Sequence, residues 1–218
     1  MKRFLLIIFF LSISMSLSFA QTPLKIGLKG GVNFATLFGD TYSNLGPRTA
    51  LLLGGYVQAP FLQGTSIQGE LNYSQEGARN ANYDFSSFSD VIYDQKLKYD
   101  YINIPILIGY ALNEQLSLQA GPQIGVRLFA KENRKIKSGT PSPSDNSAGT
   151  RNFSKRIKLI YPSLTAGATY QLMDKLAVQA RIFSSIFDNV TRNGGDSEGT
   201  FPLIFQLTVS YEIMEKTD

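Results

Sequence analysis

From residue 201 to residue 213 the chain places Phe201, Leu203, Phe205, Leu207, Val209, Tyr211 and Ile213 at every second position, with Gln206, Thr208, Ser210 and Glu212 between the last of them. A period of two sends alternate side chains to opposite faces of a strand, whereas a helix needs a period near 3.6. The same alternation sets Leu116, Leu118, Ala120, Pro122, Ile124, Val126 and Leu128 against Ser117, Gln119, Gly121, Gln123, Gly125 and Arg127. Six further segments, 24–35, 50–59, 65–75, 98–112, 157–171 and 175–184, read as strands with a less regular pattern. The pattern predicts eight strands, each with an apolar and a more polar face.

The connections between these strands alternate in length. Segments 60–64, 113–115 and 172–174 are tight, with turn-forming residues, while 36–49, 76–97, 130–156 and 185–200 are long and rich in Asn, Asp, Ser, Gly and Thr. A soluble sandwich has no reason for such a regular alternation. A membrane barrel does, since its turns are short on the periplasmic side and its loops long outside, and its strands alternate apolar-out with polar-in. The expected fold is all-β, an eight-stranded antiparallel up-and-down transmembrane β-barrel. Tyr73, Tyr99, Tyr101, Tyr110, Tyr161, Tyr170, Phe201 and Tyr211 fall near strand ends, where an aromatic girdle would sit. Pro105, Pro122, Pro162 and Pro202 fall inside strands, where a lost ladder donor calls for bulges or bends.

Composition agrees with export to an envelope. Met1-Lys2-Arg3 precedes an apolar run from Phe4 to Leu11 and a small-residue site at Ser18-Phe19-Ala20, which reads as a signal peptide over 1–20 and leaves the barrel domain at 21–218. The run is too short for a spanning helix, which needs about 20 apolar residues. There is no cysteine, hence neither a disulfide framework nor a lipid-modified cysteine. The formal net charge is +4, of which Lys2 and Arg3 supply two, too mild to suggest nucleic acid.

Alternation assigns Lys25, Lys29, Gln58, Gln68, Glu70, Asn72, Asn103, Gln119, Gln123, Arg127, Gln179, Arg181, Gln206 and Glu212 to the lumen. Eight strands enclose only enough room for side chains. The expectation is a plugged interior in which Glu70 and Glu212 neutralise some of Lys25, Lys29, Arg127 and Arg181, because an unpaired buried charge is costly. Lys25 and Glu212, near the periplasmic ends of the first and last strands, are the first pair to test.

Catalysis is not expected. Barrel hydrolases and acyltransferases generally use histidine as the base, and this chain has none. The loop acids Asp84, Asp90, Asp94, Asp188, Asp196 and Glu198 lie in polar segments, and the spacing of the first three matches no calcium loop. No cofactor or metal is expected. The third long loop carries Lys131, Arg134, Lys135, Lys137, Arg151, Lys155, Arg156 and Lys158 against Glu132 and Asp145, a basic surface placed to meet lipopolysaccharide phosphates. Between its stems, 138–147 is a polar stretch of Ser, Pro, Gly and Asn.

The segment Tyr101-Ile102-Asn103-Ile104-Pro105-Ile106-Leu107 resembles the Tyr-x-x-Ile-Pro-x-Leu strand of the PorT-type outer-membrane β-barrel family of Bacteroidetes. Gly27-x-Lys29-Gly30-Gly31-Val32-Asn33 is similar to that family's first strand, and Ala120-Gly121-Pro122-Gln123-Ile124-Gly125 to its Ala-Gly-Pro strand. The resemblance implies an outer-membrane barrel in a host with two membranes, tolerates Pro105, and transfers no specific role. Three functions stay open at this point. The first is a monomeric structural or binding barrel whose outward loops contact lipopolysaccharide or a macromolecule. The second is an accessory of a secretion or envelope-assembly complex, acting through a protein partner. The third is a narrow solute pore.

Overall fold

A computed structural model describes residues 23–38, 45–84, 91–140, 148–152, 154, 157–187 and 201–216. The expected signal peptide lies outside them, as do Asp90, Asp188, Asp196, Glu198, Lys155, Arg156 and most of 138–147. The strands are β1 (Leu24–Phe38), β2 (Gly46–Pro60), β3 (Thr65–Asp84), β4 (Ile92–Ala111), β5 (Leu116–Ser138), β6 (Gly149–Asn152), β7 (Ile160–Met173), β8 (Leu176–Ser185) and β9 (Phe201–Lys216). Every pairing is antiparallel, and β9 closes on β1 from Leu24 opposite Lys216 to Phe38 opposite Phe201. The short β6 lies on the flank of β5, outside the closed circuit. The ring therefore has the eight antiparallel strands that the sequence led us to expect.

Parity along each strand separates two environments. Leu28, Leu53, Leu71, Ile106, Ile108 and Leu164 point outward and are 53–61% exposed, whereas Gln68, Asn72, Asn103, Gln123, Gln179 and Gln206 point inward and are at most 4% exposed. Apolar-out and polar-in is the inverse of a water-soluble barrel and matches one surrounded by lipid. No helix among the described residues is long and apolar enough to cross a membrane. The tight turns are locally determined. Gly64 has a positive φ of 73° in the first, and the Asn113 side-chain oxygen accepts from the amides of Gln115 (2.9 Å) and Leu116 (2.7 Å) in the second.

Three strands run further outward than their hydrophobic pattern. Strands β3, β4 and β5 have 20, 20 and 23 residues, against the roughly 9–11 that cross a bilayer. Much of 76–97, and 130–138, is therefore paired strand and not loop. Beyond the lipid both faces meet polar surroundings, so the apolar period fades while backbone pairing continues. A bulge adds a second departure: Tyr101 faces Arg127 but Asp100 faces Phe129, leaving Leu128 as the extra residue. Inward positions of β5 are odd-numbered below the bulge and even-numbered above it.

Pro105 and Pro122 lie at neither a bulge nor a rim. Between Gly69 opposite Ile106 and Asn72 opposite Asn103 the β3–β4 ladder lapses at Pro105 and resumes in the same register. The β4–β5 ladder lapses likewise between Pro105 opposite Gln123 and Ile108 opposite Ala120, a gap that contains Pro122. Pro162 and Pro202 sit near the outer starts of β7 and β9, where pairing tolerates them.

Candidate functional site: a filled lumen and a basic outer wall

Glu70 on β3 is the centre of the inner half of the lumen. Its Oε2 lies 2.9 Å from Lys29 Nζ and accepts from Asn72 Nδ2 at 2.8 Å, while its Oε1 lies 2.7 Å from Arg181 Nη1 and accepts from Gln68 Nε2 at 2.5 Å. The side chains of Lys29, Glu70 and Arg181 are 0–3% exposed. Arg181 also donates through Nη2 to Gln119 Oε1 at 2.6 Å, and so links strands β1, β3, β5 and β8. Lys25 Nζ reaches Glu212 Oε2 at 3.2 Å and Glu215 Oε1 at 3.6 Å, but its side chain is 41% exposed at the periplasmic rim. Arg127 joins neither group: its Nε is buried without a hydrogen-bond partner among the described residues.

A second carboxylate, Glu76, falls in a segment that the sequence pattern reads as loop and lies instead inside the barrel, 1% exposed. It accepts from Ser74 Oγ (3.1 Å), Asn103 Nδ2 (2.9 Å) and Tyr161 OH (3.0 Å to each oxygen). Tyr161 packs edge-on against Tyr101, with ring centroids 4.7 Å apart. Around this pair Leu37, Leu97, Tyr99, Phe183 and Ile204 form a buried apolar layer across the outer lumen. The expected girdle is thereby corrected in part. Tyr99, Tyr101 and Tyr161 occupy inward positions at 0–3% exposure, while Tyr110, Tyr170, Phe201 and Tyr211 face outward. Proximity to a strand end does not choose the face; parity does.

Above this layer Arg134 is also turned inward. The bulge at Leu128 turns it inward together with Glu132, whose Oε1 lies 2.6 Å from Arg134 Nη2 and also accepts from Gln95 Nε2. Arg134 therefore does not belong to the outward basic surface with which its sequence neighbours group it.

Lys131, Lys135 and Lys137 do face out. Along the exterior of β4 and β5, Asp100 lies opposite Phe129, Lys98 opposite Lys131, Lys96 opposite Asn133 and Asp94 opposite Lys135. Lys131 Nζ stands 5.7 Å from the Phe129 ring centroid, which ties the lysine to the aromatic band. Next to Lys96 on β3, Arg79 makes a paired contact with Asp94, at 2.8 Å from Nε and 3.0 Å from Nη2. Those hydrogen bonds hold the Asp94 carboxyl below its ordinary range. Tyr73 OH donates to Asp100 Oδ2 at 2.9 Å, one step nearer the lipid. Lys137, Arg151 and Lys158 are exposed further along.

The family model described as "Outer membrane protein beta-barrel domain" matches residues 19–190. The chain belongs to this outer-membrane barrel family. It is accordingly a protein of the outer membrane. The barrel is similar in fold to Ail, the attachment invasion locus protein of Yersinia pestis, at 14% identity over 87% of this chain and 98% of that one, with a TM-score of 0.48. It is likewise similar to Neisserial surface protein A, at 10% identity over 87% and 97% with a TM-score of 0.46, and to CarO of Acinetobacter baumannii, at 13% over 85% and 96% with a TM-score of 0.45. No curated protein sequence matches significantly.

Chemically, the interior of this outer-membrane barrel offers hydrogen-bond hubs built around buried carboxylates. The buried carboxylates Glu70, Glu76 and Glu132 are each already engaged by three or more donors or by a guanidinium. No three His, Cys, Asp or Glu side chains among the described residues are placed to share a metal. The exposed chemistry is on the outer wall, where cations project beyond the apolar belt.

Proposed function

We propose that the barrel serves as a closed, non-catalytic membrane anchor, working as a monomer, whose outward wall binds lipopolysaccharide through its cations. One contrast carries this reading. The lumen charges Lys29, Glu70 and Arg181 are consumed by one another, whereas Lys98, Lys131, Lys135 and Lys158 are exposed on the outside. Cations at that height meet the phosphates of the outer leaflet, where charge-assisted hydrogen bonds form. The test is binding of purified lipopolysaccharide to the whole barrel in detergent, expected to weaken as salt rises. Planar-bilayer recording complements it: a steady open current would sink the closed-lumen part of the proposal.

A second reading, an accessory of a secretion or envelope-assembly complex of the PorT type, draws on the motif resemblance and on the turns. Phe61, Leu62, Leu112, Leu172 and Met173 are 50–70% exposed on the three tight turns. Crosslinking in intact envelopes through these turns decides it, since a stoichiometric periplasmic partner would favour assembly and a clean monomer the lipopolysaccharide reading.

A further inference from the structure

Two like-charged pairs face each other across strands of the outer wall, and they are treated differently. Arg79 on β3 lies opposite Lys96 on β4, and Asp94 stands between them, 2.8 Å from Arg79 Nε and 3.6 Å from Lys96 Nζ. Lys98 on β4 lies opposite Lys131 on β5, both exposed, and no acid among the described residues forms an ion pair with either. Directly opposed side chains have Cβ atoms about 4.5–5.5 Å apart, so like charges there repel unless an anion sits between them. Position narrows the identity of that anion. Lys131 leans over Phe129 of the aromatic band, Phe129 lies opposite Asp100, and Tyr73 binds Asp100, so this pair stands one step above the lipid-facing belt.

We propose that Lys98 and Lys131 form a clamp for a phosphate monoester of lipid A in the outer leaflet. Two ammonium groups supply up to six donors to a dianionic acceptor at the height of the glucosamine phosphates, while the acyl chains lie against the belt of Ile104, Ile106 and Ile124 below. The clamp rests on the reading that the wall meets lipopolysaccharide and specifies where and through which group.

The experiment compares three full-length barrels in detergent: the parent, Lys98→Gln/Lys131→Gln, and Lys135→Gln/Lys137→Gln, which removes the same charge higher on the wall. Each is titrated with bisphosphorylated lipid A and with the same lipid A stripped of phosphate. The expected result is a loss of tenfold or more for the Lys98/Lys131 variant, under threefold for the Lys135/Lys137 variant, and no difference among the three with the dephosphorylated lipid. The thermal midpoint of the Lys98/Lys131 variant without lipid is expected to equal or exceed the parent's, because repulsion is removed, which keeps loss of folding distinct from loss of binding. Equal losses for the two variants would overturn the clamp and leave a general attraction of the wall's cations to lipopolysaccharide phosphates standing, whereas a parent indifferent to phosphate would overturn both. A parent that binds neither lipid overturns that broader proposal together with the clamp.

Discussion

Arg181 and Glu70, 111 residues apart in the chain, meet inside the barrel with 2.7 Å between Nη1 and Oε1. Glu70 holds Lys29 through its other oxygen, so one carboxylate compensates two buried cations contributed by β1 and β8. Two cations against one anion is a tolerable arrangement only while the anion is present.

Glu70→Gln should therefore be among the most damaging single substitutions in the lumen. It leaves Lys29 and Arg181 buried without a counter-charge, a situation that costs about 3–5 kcal/mol when one partner of a buried pair is removed. The measurement is the urea midpoint of the folded barrel, read by its heat-modifiable gel mobility. Replacing all three residues by apolar ones of similar size should recover much of the loss, since the hub is neutralised as a unit. A Glu70→Gln barrel with the parent's midpoint would show that the hub is not structural.

Glu212→Gln should behave differently although Glu212 also pairs with a lysine. Lys25 is 41% exposed and has Glu215 at 3.6 Å as a second partner, so water and a neighbour replace what is lost. A rim pair whose lysine stays hydrated contributes roughly 0–1 kcal/mol. The same gel-mobility assay should register a shift several times smaller than for Glu70→Gln, and comparable shifts would mean that the rim pair is more dehydrated than its geometry implies.

That contrast marks how far the sequence could be read. Alternation alone put Lys29, Glu70 and Arg181 on the inner face, and the turn residues Gly64 and Asn113 fall where the strands reverse. A regular inward glutamine, Gln68, Gln119 and Gln179, recurs shortly after each tight turn and signals the common register of those hairpins. Depth and parity beyond the lipid were not legible. Glu76 looked like a loop acid because it follows the last clean apolar–polar alternation of β3, yet the strand continues to Asp84 and turns Glu76 inward. Arg134 groups with the outward cations because 130–156 reads as loop, and no residue announces that the strand continues through a bulge at Leu128, where two apolar residues in succession both face lipid. A bulge of one residue reverses every later assignment.

Gly125 exposes a packing constraint of the aromatic layer. A methyl group built there collides with the Tyr161 ring, which lies across Gly125 to bring its hydroxyl to Glu76. Gly125→Val should displace Tyr161 and break the Glu76 contact together with the Tyr101 edge contact, destabilising the barrel by about 1–3 kcal/mol as overpacking does. Tyr161→Phe keeps the ring and removes only the hydroxyl, and leaving Glu76 one donor short costs about 1–3 kcal/mol. Hydrogen exchange of the outer ends of β5 and β7 distinguishes them: Gly125→Val should expose both strands, Tyr161→Phe neither.

Asp94 offers a pH test of the outer wall. Its carboxyl titrates below the ordinary 3.8 because Arg79 donates two hydrogen bonds to it, with Lys96 a lesser cause. A depressed folded-state value means that the contribution is fully present above the ordinary aspartate range, about pH 4, and is lost as pH falls through the folded value. Between pH 8 and pH 5 the Arg79–Asp94 contact should therefore be unchanged, and it should open only in stronger acid. Carbon-detected NMR of the Asp94 carboxyl is expected to give a midpoint below 3.8 in the parent and one shifted upward in Arg79→Ala. An unshifted midpoint in Arg79→Ala would assign the depression to Lys96 and remove Arg79 as its cause, and Lys96→Gln would then have to produce the shift. Because the Arg79 side chain is 47% exposed and the contact lies on the outer wall, the consequence is local, a loosening of the β3–β4 hairpin above the membrane, and the urea midpoint of the whole barrel should not follow it.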